Sequence, residues 1–201
     1  MHRDEGKRKV LFIAPCILNP SLVACGFFTK KGFELRENFL KKLIAICSER
    51  MIGIEAYPCP EFLIQGFPRP AASKLFYEKY RRRIRRIARA FARKIRKYRE
   101  MGIEVLGIIC VDGSPVCGKD FTKLGKAWSR EEIEKFKKSY KAGLDLSEEY
   151  YQKLEHKKRG SGVFIEELLK LIPKELHNRI IGVNYGDMDG TIRKVKEIIK
   201  S

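Results

Sequence analysis

The sequence has few of the features that mark membrane, secreted or multidomain proteins. None of its apolar runs reaches 18 residues, the length that a membrane-spanning helix requires. It has no internal repeat and no low-complexity linker, and its 201 residues are close to the usual size of one domain. An apolar content of 44% is enough to build a buried core. We therefore expect a single domain over residues 1–201.

The chain also has few histidines and no closely spaced cysteine pair. Its six cysteines stand at positions 16, 25, 47, 59, 110 and 117, without a Cys-x-x-Cys motif. Six are too few for a disulfide scaffold in a chain of this length. In a reducing cytoplasm, such thiols are metal ligands, a nucleophile or buried core residues.

The amino terminus resembles an export signal but is interrupted. Basic residues precede an apolar stretch, and Leu22-Val23-Ala24-Cys25 resembles a lipoprotein cleavage box. Asn19-Pro20-Ser21 breaks the stretch, and cleavage before Cys25 would remove a predicted strand together with Cys16. We therefore expect a cytoplasmic protein.

Acidic residues are scarce relative to basic ones. The chain has 25 Asp and Glu against 43 Lys and Arg, a formal net charge of +18. A field of this sign favours partners that carry phosphate, such as RNA, DNA, nucleotides or acidic membrane surfaces. Thirteen basic residues lie between positions 71 and 100 against only Glu78 and Glu100, so this segment supplies +11 of the total.

Apolar patterning indicates strands and helices in alternation. Buried strands are predicted at 9–15, 52–57, 103–110 and 179–184, and helices after the first strand and at 74–100, 163–171 and 189–199. Near-continuous apolar strands separated by helices indicate an α/β fold of three layers, with a mostly parallel, Rossmann-like sheet and helices on both faces. Residues 128–159 are polar and charged, and we expect them to form a helical excursion on the surface.

The basic helix is predicted to be amphipathic. Its apolar residues advance in steps of three and four, at Phe76, Tyr80, Ile84, Ile87, Phe91, Ile95 and Tyr98. The arginines would then form a solvent face, and Arg82, Arg86 and Arg93 are candidate contacts to nucleic acid because guanidinium groups suit bidentate phosphate binding. The alternative is a solvated surface with no partner.

Three cysteines follow three predicted strands. Cys16, Cys59 and Cys117 lie in the loops after the first, second and third strands, where open α/β sheets bind their ligands. Converging thiolates suit zinc or an iron–sulfur cluster, and three ligands without a fourth leave an open coordination position. The alternative is three unrelated buried thiols. We expect Cys47 and Cys110 to fill the core, and assign no role to Cys25.

Four motifs carry a resemblance to a known family. "APCILNP", "PCPEFLIQGFPRP", "GSPVCGKD" and "GSGVFIEEL" resemble the 2-thiouracil desulfurase family and its archaeal relatives over about residues 9–184. The resemblance implies a [4Fe-4S] cluster held by Cys16, Cys59 and Cys117, with Glu61 and Ser114 as catalytic residues. The first motif departs from the family, which has a second cysteine and Arg-Tyr-Asp-Gly soon after the first cysteine; here the chain reads "NPSLVACGFF".

The sequence therefore predicts a cluster-dependent desulfidase. The substrate would be a thiolated pyrimidine base or nucleotide, or a thiolated tRNA, bound by a monomer or a homodimer. Its sulfur would bind the open iron, Glu61 would activate water and Ser114 would orient the substrate, in a hydrolysis without net redox change. The rival hypothesis is an RNA-binding protein with a structural metal and an arginine-rich helix, which would be colourless with zinc where a cluster protein is brown.

Overall fold

The computed structural model describes residues 7–125, 128–144 and 154–200. The strands are β1 (Lys9–Ile13), β2 (Ile52–Ala56), β3 (Glu104–Val111), β4 (Phe121–Gly125), β5 (Leu154–Arg159) and β6 (Ile180–Val183). The α-helices are α1 (Pro15–Leu18), α2 (Lys30–Ser48), α3 (Pro60–Gln65), α4 (Lys74–Glu78), α5 (Arg81–Glu100), α6 (Arg130–Lys141), α7 (Val163–Leu169) and α8 (Met188–Lys200). Short 3-10 helices cover Pro20–Leu22, Cys25–Phe27 and Lys174–Arg179.

The main sheet is parallel throughout, in the order β2-β1-β3-β6. The chain winds from β1 to β2 on one side, then returns past β1 to β3, so its winding direction reverses between β1 and β3. Right-handed crossovers place α2 on one face of the sheet and α5 and α7 on the other. In agreement, α5 packs on α7, and α8 packs against α2. The predicted α/β fold with helices on both faces of a parallel sheet is confirmed.

Aromatic side chains join β1 to the helices on the α5 face. The ring of Phe12 on β1 meets Phe91 of α5 edge to face, with ring centroids 4.9 Å apart. Tyr57 stacks on Phe164 of α7 at 5.6 Å. All four side chains are buried, and a buried aromatic ring contributes roughly 1.5–3 kcal/mol by leaving water. This packing fixes the ends of β1 and β2 relative to α7.

The basic segment forms two helices instead of the predicted one. Ser73 caps α4 by accepting a hydrogen bond from the Phe76 amide, and α5 begins anew after Tyr80, whose φ and ψ are −106° and 10°. The apolar stripe nevertheless faces inward, since α5 buries Ile84, Ala88, Phe91, Ala92 and Ile95. The prediction that this stripe packs on the sheet is confirmed.

The predicted helical excursion at 128–159 is only partly correct. Residues 130–141 form α6, which begins with a capping box between Ser129 and Glu132. Residues 154–159, however, form strand β5, which pairs antiparallel with β4. The helical prediction was wrong there because long-range pairing with β4, which the sequence analysis did not identify, sets the conformation of a polar segment. The part of the prediction at 145–153 lies outside the described residues.

Within the described ranges, no helix is both long enough and apolar enough to cross a membrane.

Candidate active site

A cavity of about 280 Å³ opens at the carboxyl ends of β1, β2 and β3. It lies where the winding direction reverses, the position at which open α/β sheets bind ligands. Cys16, Cys59 and Cys117 all line it, together with Glu61 and Ser114. The structure thus brings together the five residues that the sequence analysis selected for one site.

Cys16 and Cys59 are held by prolines that begin short helices. Pro15 starts α1 directly after β1, and Cys16 is the next residue. Cys59 is the N-cap of α3, where its Sγ accepts a hydrogen bond from the Phe62 amide at 3.5 Å. Proline at the first helical position has its backbone already set for the helix. Each thiol is therefore fixed within three residues of the strand that precedes it.

The loop that carries Cys117 is closed by side-chain hydrogen bonds. The Ser114 Oγ accepts from the Cys117 amide at 3.0 Å, and the Asp112 carboxylate accepts from the amides of Lys119 and Asp120. Gly113 has a φ of 85°, which favours glycine. The loop is thus shaped by Asp112 and Ser114 around the thiol.

Gly162 supports the same loop from behind. A Cβ at this position would come within 2.4 Å of the Val116 carbonyl carbon and 2.9 Å of the Cys117 backbone nitrogen. Only glycine allows this close approach of two backbone segments. The "GSG" that precedes α7 therefore belongs to the support of the site.

Glu61 is held between a hydroxyl group and a guanidinium group. Ser114 Oγ donates to its Oε1 at 2.7 Å, and Arg69 Nη2 donates to its Oε2 at 3.3 Å. The Glu61 side chain is largely buried, and that of Arg69 is almost fully so. Each oxygen of the carboxylate therefore accepts a hydrogen bond that fixes its orientation, and a group that transfers protons needs a fixed orientation.

Arg69 was missed by the sequence analysis. It lies in the "GFPRP" segment after α3, lines the cavity, and its Nη2 also donates to the Leu22 carbonyl at 2.7 Å. Its Nε and Nη1 have no hydrogen-bond partner, and neither have the buried hydroxyl groups of Tyr57 and Tyr185, which line the same cavity. An arginine between two prolines in an otherwise apolar stretch was the available signal.

The mouth of the cavity combines cations with aromatic rings. The Arg36 guanidinium lies 5.3 Å from the centroid of the Tyr185 ring, and the Lys123 ammonium lies 4.7 Å from that of Phe27. All four residues line the cavity. The entrance is thus suited to a flat, electron-rich ring and to negative charge.

The three thiols occupy an environment that keeps them protonated. Burial, followed by the charges of Cys117, Cys59 and Glu61, raises the pKa of Cys16 well above its usual value. Burial, and next Glu61, raises the pKa of Cys59, and the same two causes raise that of Cys117 to about 11. The thiols therefore hold their protons in the folded chain, and a metal group would displace these protons on binding.

Over the parts of the chain that the structure describes, no group of three or more His, Cys, Asp and Glu side chains is arranged to hold a metal ion. In an iron–sulfur cluster, each cysteine binds a different iron atom, so the thiols need not converge on one point.

The other predicted positions lie outside the cavity lining. Cys47 and Cys110 are buried in the core as expected, and Cys110 Sγ donates to the Ile181 carbonyl at 3.3 Å. Arg82, Arg86 and Arg93 are exposed on α5. Cys25 is buried beside the site, and its amide donates to the Arg69 carbonyl at 3.0 Å.

Comparison with known proteins identifies one family. A model of the family described as "Putative 2-thiouracil desulfurase" matches residues 8–201, a range that contains every cysteine, Glu61 and Ser114. Neither a curated protein nor a solved structure matches the chain.

The raised thiol pKa values predict how the stability of the metal-free protein depends on pH. Above the ordinary thiol pKa of 9.0, the unfolded chain loses protons that folded Cys16 and Cys117 retain. The free energy of unfolding should therefore fall between pH 9 and 11, by up to about 1.4 kcal/mol per pH unit for each thiol. Urea titrations of the metal-free protein across this range measure the slope.

The control for this prediction distinguishes the cavity from the core. A Cys16→Ser/Cys117→Ser variant should show a shallower decline than the parent. Cys47 lies outside the cavity, and burial raises its pKa to about 11. Cys47→Ser removes one such thiol instead of two, so it should reduce the slope of the decline by about half as much as the double variant does. Equal slopes in the parent and the double variant would contradict this account of the site.

Proposed function

Because the chain belongs to the 2-thiouracil desulfurase family, we propose that it removes sulfur from a thiolated pyrimidine base or nucleotide in the cavity at the ends of β1–β3. The observation that carries the proposal is the convergence of Cys16, Cys59 and Cys117, from three separate loops, beside the bonded pair of Glu61 and Ser114. The cations and aromatic rings at the mouth support a substrate that is flat and carries negative charge.

The proposed cofactor is a [4Fe-4S] cluster bound by Cys16, Cys59 and Cys117. The three cysteines give an all-sulfur donor set, which suits iron–sulfur clusters. The buried guanidinium of Arg69 in the cavity lining also suits a group of negative charge. With three protein ligands, a bound cluster supplies an iron with an open coordination position, a Lewis acid that polarises a C=S bond.

Glu61 is the proposed acid and base of the reaction. Hydrolysis of a thiocarbonyl consumes water and yields a carbonyl group and hydrogen sulfide, with no change of oxidation state. One proton must leave the attacking water and protons must reach the departing sulfur. Two carboxylates line the cavity, and Asp112 already accepts from the Lys119 and Asp120 amides, which leaves Glu61 for this role. Ser114, by donating to Oε1, keeps this carboxylate oriented.

Glu61→Gln tests the proposal. The amide has the same shape but accepts no proton, so turnover of 2-thiouracil or a 4-thiopyrimidine nucleotide should fall about 10²–10⁴-fold. Iron and sulfide content should stay at the parent level, because Glu61 is not a ligand. Sulfide release and absorption near 400 nm measure the two quantities.

The control for Glu61→Gln is Glu175→Gln. Glu175 is an exposed carboxylate that pairs with Arg99 outside the cavity. This variant should keep parent turnover. Parent-like turnover in Glu61→Gln would assign the proton transfer to another group.

A row of unpaired arginines on α5 supports RNA as a second candidate partner. On α5, Arg81, Arg85, Lys94 and Arg99 pair with glutamates, and Arg83 donates to the Leu63 carbonyl. Within the described residues, neither kind of contact is made by the five other exposed arginines of α5: Arg82, Arg86, Arg89, Arg93 and Arg96. Their spacing of three and four residues puts them on one side of α5 over about 21 Å. Such a row suits successive phosphates, and a thiolated tRNA would combine this contact with the proposed chemistry.

Charge reversal tests whether the row binds RNA. Arg82→Glu/Arg86→Glu/Arg93→Glu should weaken tRNA binding and reduce the dependence of log affinity on log salt by roughly two units or more. Cluster content should not change. Fluorescence anisotropy over a series of salt concentrations measures both effects.

The matched control reverses three cations on α8. Arg193→Glu/Lys194→Glu/Lys196→Glu changes the net charge equally, and these side chains are exposed. This α8 variant should bind tRNA more tightly than the α5 variant does. An equal loss in the two variants would show that net charge alone attracts RNA, and no binding by the parent at low salt would exclude RNA as a partner.

A further inference from the structure

Arg69 is a buried cation whose lost hydration is only partly replaced by hydrogen bonds within the protein. It is 2% exposed and is the single basic residue among the buried polar residues of the described chain. Taking one charged group out of water costs several kcal/mol unless partners replace the water. Only Nη2 has such partners, the Leu22 carbonyl and Glu61, whereas Nε and Nη1 have none.

The surroundings of Arg69 are rich in acidic groups. Burial alone would lower its pKa, but the charges of Glu61, Tyr77, Cys59 and Cys16 reverse this and raise it. Arg69 in turn is the charge that opposes the raised pKa values of Cys16 and Cys59. The guanidinium is thus close enough to the carboxylate and to two of the three cavity thiols for its charge to act on them.

The charge of Arg69 can act on a group in the cavity without direct contact. Nε and Nη1 are closed to solvent, so neither a substrate nor a cofactor in the cavity touches them unless the side chain moves. The guanidinium nevertheless belongs to the lining of the cavity that holds the three thiols. Hydrogen bonds and nearby positive charge are among the factors that set the reduction potential of an iron–sulfur cluster.

We propose that Arg69 is the positioning residue of the site, which orients the Glu61 carboxylate through Nη2 and offsets, by its positive charge, the negative charge of the cluster. This inference rests on the proposed function. It assigns to one side chain both the orientation of the acid–base group and the charge balance of the cofactor. A lysine would keep the charge but lose the planar guanidinium that contacts the Leu22 carbonyl and Glu61.

The test compares anaerobically purified holoproteins. In Arg69→Gln, the reduction potential should be more negative than in the parent, because a positive charge that favours the reduced cluster is removed. In Arg69→Lys, the potential should stay near that of the parent while kcat falls at least about tenfold and KM changes less than about twofold. Dye-linked redox titration and sulfide-release kinetics give these values.

The control is Arg83→Gln. Like Arg69, Arg83 donates to a backbone carbonyl, in this case that of Leu63 in α3, but the Arg83 side chain is exposed. Its replacement should leave the potential and kcat unchanged. If Arg69→Gln loses its iron while its cluster-free form keeps the parent Tm, the charge is needed to retain the cluster, which supports the proposal.

Other outcomes would overturn it. In one such outcome, Arg69→Gln keeps the reduction potential of the parent, and its kcat falls only in proportion to its Tm. Arg69 would then have a purely structural role, connecting the Leu22 loop to α3. Should Arg69→Gln fail to fold, parent-like kcat in Arg69→Lys would have the same consequence. A parent protein without iron would refute the proposed function itself, and this outcome is distinct from an unchanged potential in a protein that contains iron.

Discussion

The parallel pairing of β1 with both β2 and β3 is the constraint on which the site depends. Because the three strands run in one direction, the loops that follow them meet at one edge of the sheet, and residues more than 40 positions apart become neighbours. The buried rings of Phe12, Tyr57, Phe91 and Phe164 hold these strands against α5 and α7. Prolines, glycines and the Asp112 and Ser114 hydrogen bonds then place each thiol within this frame.

Charge is divided between two regions with different consequences. On α5, Arg81 and Arg85 bond to the carboxylates of Glu166 and Glu167, which joins α5 to α7 and supports the Cys117 loop through Gly162. On the exposed side of α5, Arg82, Arg86, Arg89, Arg93 and Arg96 form no ion pair within the described chain. At the cavity, by contrast, the buried cation Arg69 lies with Glu61 and three thiols whose pKa values burial raises. Binding of the proposed cluster would replace the thiol protons by iron, and Arg69 would then offset part of the resulting negative charge.

Much of the fold and site was predictable because it depends on local patterns. Apolar strands and the α5 stripe revealed the sheet and its helices. The position of each cysteine directly after a predicted parallel strand implied that Cys16, Cys59 and Cys117 would meet. The break before α5 was not predictable, since the apolar period continues through Tyr80. Strand β5 has no apolar alternation and exists through its pairing with β4. Arg69 is buried by contacts with Leu22 and Glu61, which no local pattern indicates.

The most direct test of the account is the iron and acid-labile sulfide content of the anaerobically purified protein. We predict about four of each per chain, lost when Cys16, Cys59 and Cys117 are replaced by serine. The same content should persist when Cys47 and Cys110, the two thiols of the core, are replaced instead. Iron that survives replacement of the three cavity cysteines, or a parent that contains zinc and no sulfide, would contradict the account.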